Sequence, residues 1–133
     1  MGTLIDASVL IEAERGRFDL GAVLAVHAEE EFTMASITAS EMLHGVHRAT
    51  RAEQRSRREA FIEQLFASFP VIPFDLMAAR VHARLGARLA ARGVTVGAHD
   101  LLIAATAIAT GSRVATRDER SFSQIPGLAV LRW

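Results

Sequence analysis

Thr3-Leu4-Ile5-Asp6-Ala7-Ser8-Val9-Leu10-Ile11, residues 3–11, decides how the rest of the chain is read. A short strand-like run, Thr3 to Ile5, ends at an acid, and helical composition follows from Val9 to Glu14 with Ser8 as the expected cap. The same order returns near the other end, where the strand Arg113 to Thr116 leads to Asp118 and a short helical turn reaching Phe122. Between them, Phe32 to Ala35 reads as a second strand. Val71 to Phe74 reads as a strand at or near a sheet edge, because Pro73 cannot donate to a ladder. Leu128 to Trp133 reads as a last strand or extended tail after Pro126-Gly127.

Helical periodicity fills the intervals. It predicts helices over Asp19 to Glu30, over Gln54 to Phe69, and from an Asp75 cap to Arg92, where Gly93 supplies the stop. Thr38-Ala39-Ser40-Glu41 has the spacing of a capping box that opens a further helix, continued by Met42, Leu43, Val46 and Ala49. Asp100 to Ala109 is apolar nearly all round and should be buried. Alternating strands and helices define an α/β fold with a mainly parallel sheet. In such sheets ligands bind beyond the carboxyl ends of the strands, at the point where strand order reverses. Asp6 and Asp118 should both emerge on that rim.

The chain has 133 residues, enough for a single domain over 1–133, and half of them are hydrophobic. No cysteine is present, which excludes disulfides, thiolate nucleophiles and Cys-bound metals. All 15 basic residues are arginine, which excludes the P-loop, Schiff-base enzymes and Ser-Lys hydrolases. Fifteen acids balance them, so any nucleic-acid contact must come from a local patch rather than from net charge. The longest apolar stretch, near Leu101 to Ala109, is far shorter than the roughly 20 residues of a spanning helix. With no basic flank before the first apolar run, no secretion signal is expected, and the protein should be cytoplasmic.

Four acids stand beside apolar residues where a solvated charge is out of place: Asp6, Glu41, Asp100 and Asp118. Each has a structural explanation: helix capping for Asp6 and Asp100, the capping box for Glu41, a turn for Asp118. Those explanations weaken if the fold gathers the four, because clustered carboxylates repel unless a proton or a cation sits among them. Oxygen-only donors suit a hard cation, Mg²⁺ or Mn²⁺, and the chemistry such a site supports is phosphodiester hydrolysis by a metal-activated water.

These segments carry a family resemblance. Ile5-Asp6-Ala7-Ser8-Val9 resembles the opening motif of PIN domains of the VapC toxin type. Ser36 to Gly45, with Glu41 inside it, resembles their central segment, and Asp100-Leu101-Leu102-Ile103-Ala104-Ala105 resembles the third motif. Ile125-Pro126-Gly127-Leu128 and the closing Trp extend the likeness over nearly the whole chain. The resemblance implies a three-layer α/β/α fold and a metal-dependent endoribonuclease that forms the toxin part of a type II toxin–antitoxin system. It also implies a VapB-like antitoxin encoded beside it, and a homodimer within a toxin–antitoxin hetero-oligomer. Asp6, Glu41, Asp100 and Asp118 become the catalytic acids, with Asp6, Asp100 and Asp118 as metal ligands. The fourth motif departs from the family: Thr116-Arg117-Asp118-Glu119-Arg120-Ser121 has Asp118 where Asn is common and Ser121 where an acid or His is common, which leaves Glu119 as the alternative fourth acid.

Other features carry less. Glu41, His44 and His47 form half of a di-iron pattern, but no second Glu-x-x-His occurs. His99 before Asp100 suits a phosphate contact or an ordinary loop histidine. The arginines at 48, 51, 55, 57 and 58, and those at 80, 84, 88 and 92, suit phosphate recognition, and a solvated face explains them as well. With no Tyr and one Trp, base stacking would be meagre. The competing class is a catalytically silent PIN-like module that binds RNA or a partner.

Overall fold

The computed structural model describes all residues from Met1 to Trp133. Five strands, β1 (Thr3–Ile5), β2 (Phe32–Ala35), β3 (Val71–Ile72), β4 (Arg113–Thr116) and β5 (Val130–Arg132), form one sheet in the order β3-β2-β1-β4-β5. Every pairing is parallel. The strand order reverses between β1 and β4, so the crevice opens beyond Ile5 and Thr116. β3 lies at the edge and stops at Ile72, one residue before Pro73.

Alternate residues of the central strands feed two cores. Ile5 and Met34 pack with Leu10, Met42, Val46, Ile62 and Leu65 on one face. Leu4, Ala35 and Val114 pack with Val81, Leu85, Ile103 and Phe122 on the other. The first face is covered by α1 (Ala7–Glu14), α2 (Leu20–Val26), α3 (Ser36–Arg48) and α4 (Ala52–Ser68). The second is covered by α5 (Leu76–Ala91), α6 (Ala98–Ala109) and α7 (Glu119–Phe122). The expected three layers are present. Helix α6 is buried as predicted, and its fully enclosed Ala104, Ala105 and Ala107 let its backbone approach the sheet closely.

Local starts and stops differ from expectation in three places. α1 begins at Ala7 with Asp6 at the cap position, so Ser8 is inside the helix and caps nothing. The capping box does not form: α3 starts directly after β2, with Ala35 at its cap position and Thr38 and Glu41 within it. α2 ends at Val26, because the Glu30 side chain is drawn to Arg113 and Thr3 and the chain turns there to enter β2. Asp75 does cap α5, accepting from the Ala78 N–H at 2.9 Å.

Candidate active site at the carboxyl rim

Asp6 leaves β1 with its backbone N–H donating to the Ala115 carbonyl of β4, which pins it to the crevice. Its side chain is buried, 6% exposed, and makes no cap bond to α1. Two hydroxyls hold it instead: Ser8 Oγ donates to Oδ2 at 2.7 Å and Thr116 Oγ1 donates to the same oxygen at 2.9 Å. Both bonds fall on Oδ2, so Oδ1 is left for another partner. Thr116 Oγ1 also accepts from the Asp118 N–H at 2.9 Å, and Ser8 Oγ from the Arg117 N–H at 3.0 Å. This mesh ties the loop after β4 to the loop after β1.

The other acids are likewise free of capping. Asp100 sits in the first turn of α6, whose cap position is Gly97 and whose N-terminus takes no side-chain bond. A Cβ on Gly97 would lie 3.3 Å from Asp100 Oδ2, so the glycine makes room for that carboxylate. Glu41 projects from α3, with Oε1 at 3.0 Å from His99 Nδ1. Asp118 is exposed, does not cap α7, and accepts from Ser121 Oγ at 2.7 Å.

Electrostatics brings the four into one site. Burial holds the Glu41 carboxyl above its usual range, and the charges of Asp6 and Asp100 push the same way, while nearby His99 pulls back. Asp100 is raised by burial first, then by Asp6 and Asp118; the Ser121 hydroxyl and His99 oppose this. Glu41 thus feels Asp6 and Asp100, Asp100 feels Asp6 and Asp118, and no arginine is paired with any of the four. Such a set suits a hard cation. No three of the acidic or histidine side chains stand close enough together to form a ready-made metal cluster. Glu119 has no part in these interactions, whereas Asp118 is linked to Asp100 both by charge and through Ser121.

Ser8, Thr116 and Ser121 are site residues that sequence reasoning did not place in these roles, and His99, read as a phosphate contact or a loop histidine, stands against Glu41. A hydroxyl two residues from each Asp, Ser8 after Asp6 and Thr116 before Asp118, was the available signal. His44 and His47 are exposed on α3 and belong to no metal cluster.

A parallel α/β domain with uncompensated carboxylates where its strand order reverses is the class that this geometry defines. The family model described as PIN domain matches residues 3–128. Ribonuclease VapC1 of Rickettsia felis is 35% identical over 131 residues, 98% of this chain and 96% of that protein. The tRNA(fMet)-specific endonuclease VapC of Salmonella typhimurium is 31% identical over 114 residues, 80% of this chain and 84% of that one. Among solved structures, a member of the VapBC family of toxin-antitoxin systems, VapBC-5 from Mycobacterium tuberculosis, superposes with a TM-score of 0.76 at 30% identity. That match covers 98% of this chain and 96% of the other. The chain belongs to the PIN domain family, and within it to the VapC proteins.

Proposed function

We propose that the chain is the toxin of a type II toxin–antitoxin system, a cytoplasmic endoribonuclease that hydrolyses RNA phosphodiesters with Mg²⁺, or Mn²⁺ in its place. Its relatives' names support the ribonuclease class and the toxin–antitoxin setting. The observation that carries the chemistry is that Asp6, Glu41, Asp100 and Asp118 are released from every capping role and left to repel one another at the carboxyl rim. A bound divalent ion supplies a water of lowered pKa and stabilises charge on the leaving oxygen. On this reading Asp6, Asp100 and Asp118 would hold the ion, with Asp6 Oδ1 free for it because Ser8 and Thr116 bond Oδ2. Glu41, its carboxyl raised and His99 beside it, would orient the attacking water. A VapB-like antitoxin is the partner, and the working assembly is a homodimer within a toxin–antitoxin complex.

RNA cleavage should be absent in chelator and return with Mg²⁺ or Mn²⁺, leaving 5′-phosphate ends. Undiminished cutting in excess chelator, or 2′,3′-cyclic phosphate ends, would remove the metal-hydrolysis reading. RNA binding with no cleavage under any divalent ion would leave the silent binding module.

A further inference from the structure

The acids cannot be what holds RNA, because clustered carboxylates repel a polyanion and the chain has no net charge to compensate. A groove that starts at Glu41 supplies the missing attraction. It runs along α3 beside α1 and α4, and Arg15, Glu41, Gly45, Arg48 and Arg58 line it. A second groove shares Arg15 and Arg58 with the first and adds Arg17 and Arg57. The two linings hold five arginines against two acids, Glu14 and Glu41, with Glu12 in loose reach of Arg15 and Arg17.

Few of these guanidinium groups are occupied. Arg58 is fixed, its Nη1 donating to the Gly45 carbonyl at 2.8 Å and its Nε 3.7 Å from Glu14. Arg15 and Arg17 reach only Glu12, each at 3.8 Å and exposed, a contact of little worth. Arg48 and Arg57 take part in none of the ion pairs.

Gly45 adds an independent observation. It lies four residues after Glu41 and three before Arg48, so the three share one helical face. A glycine in a helix interior costs about 1 kcal/mol relative to alanine. Nothing in the packing asks for it, since a Cβ there would meet no atom within 4 Å. What the glycine supplies is an open floor between the acidic site and Arg48.

We infer that this groove is the channel for the sugar–phosphate backbone of single-stranded RNA, with Arg48 and Arg15 binding phosphates and Arg58 forming a fixed wall. The inference rests on the ribonuclease reading and adds to it the path of the substrate. Seven residues at about 1.5 Å each place Arg48 roughly 10 Å along α3 from Glu41, so it grips a phosphate flanking the reacting one. The groove's apolar lining is Ile11, Met42 and Ile62, with no aromatic ring. The grip is therefore electrostatic and tolerant of base sequence.

The test uses fluorescein-labelled single-stranded RNA of mixed sequence, bound to the full chain in chelator and followed by anisotropy across a salt series. Arg48→Ala and Arg15→Ala should each weaken binding about 3- to 10-fold and flatten the salt slope by about 0.7. Gly45→Met should weaken binding while its melting temperature holds or rises, and Arg84→Ala on α5 should change nothing. Cleavage of the same RNA with Mg²⁺ is read in parallel. A parent that cuts RNA while Arg48→Ala, Arg15→Ala and Gly45→Met all bind as it does would overturn the channel and keep the nuclease. An inert parent whose RNA affinity still falls in these variants would keep the channel and discard the nuclease. Unchanged RNA affinity with a weakened hold on the antitoxin would assign the groove to a protein segment and overturn the inference.

Discussion

At the amino ends of β1 and β4, Glu30 accepts from Arg113 Nη2 at 2.9 Å and from Thr3 Oγ1 at 3.2 Å, and stands 3.1 Å from His27 Nδ1. Its carboxyl is held below the usual range, chiefly by the Arg113 bond. At the carboxyl ends of the same two strands, Asp6 is buried between two hydroxyls with no arginine, and Asp100 and Glu41 are raised by burial and by their acidic neighbours. One sheet thus carries a compensated carboxylate at one end and an uncompensated set at the other. A carboxylate that serves the fold is given an arginine by the chain; at the rim only His99 stands beside one of the acids, and on the proposed reading a bound cation would make up the difference.

The largest effects that could break this contrast are on cleavage. Asp6→Asn and Asp100→Asn should each lower RNA cleavage at least about 100-fold, equivalent to a few kcal/mol of lost stabilisation, with the fold intact. Asp118→Asn should cost about tenfold or less, since Asp118 is exposed and already shares Oδ2 with Ser121. Initial rates beside circular dichroism check this; unfolding that parallels the loss would return Asp6 or Asp100 to a structural role.

Smaller, but sharper, is the pH dependence of stability without metal. A raised carboxyl favours the fold while protonated and loses that contribution as pH rises through its folded value. Asp100→Asn should therefore gain on the parent as pH climbs above the ordinary carboxylate range, by about 1–3 °C in melting temperature. Glu30 is lowered, so the parent should be favoured over Glu30→Gln above that range, with the advantage lost as pH falls through the lowered value. Melting curves of both variants from acid to neutral pH should move in opposite senses; profiles of the same sign would erase the contrast between the two ends.

The strands, Asp6 and Asp118 were legible because each of these acids follows a strand, a position that a parallel α/β layer gives a meaning, and Asp100 because an apolar helical run starts directly after it. The reasons assigned locally to the acids were less secure. Thr38-Ala39-Ser40-Glu41 has capping-box spacing, yet Ser36 and Ile37 are already helical, because β2 passes into α3 with no intervening turn. Ser8 looks like a cap, but it points back to Asp6 and across to Thr116, a contact 108 residues away in sequence. The pairing of His99 with Glu41 and of Ser121 with Asp100 could not be read for the same reason, since these residues meet only once α3, α6 and α7 converge. The arginine runs could be ranked only when the groove beside α3 set Arg48 and Arg58 in one lining with Glu41.

Calorimetric titration of Mg²⁺ into the RNA-free protein tests the central claim most directly, because it asks whether the rim acids form a cation site at all. The account predicts saturable binding by the parent that is lost in Asp6→Asn and Asp100→Asn and retained in Glu30→Gln. Equal Mg²⁺ binding by the parent and the two rim variants, or none by the parent, would contradict it.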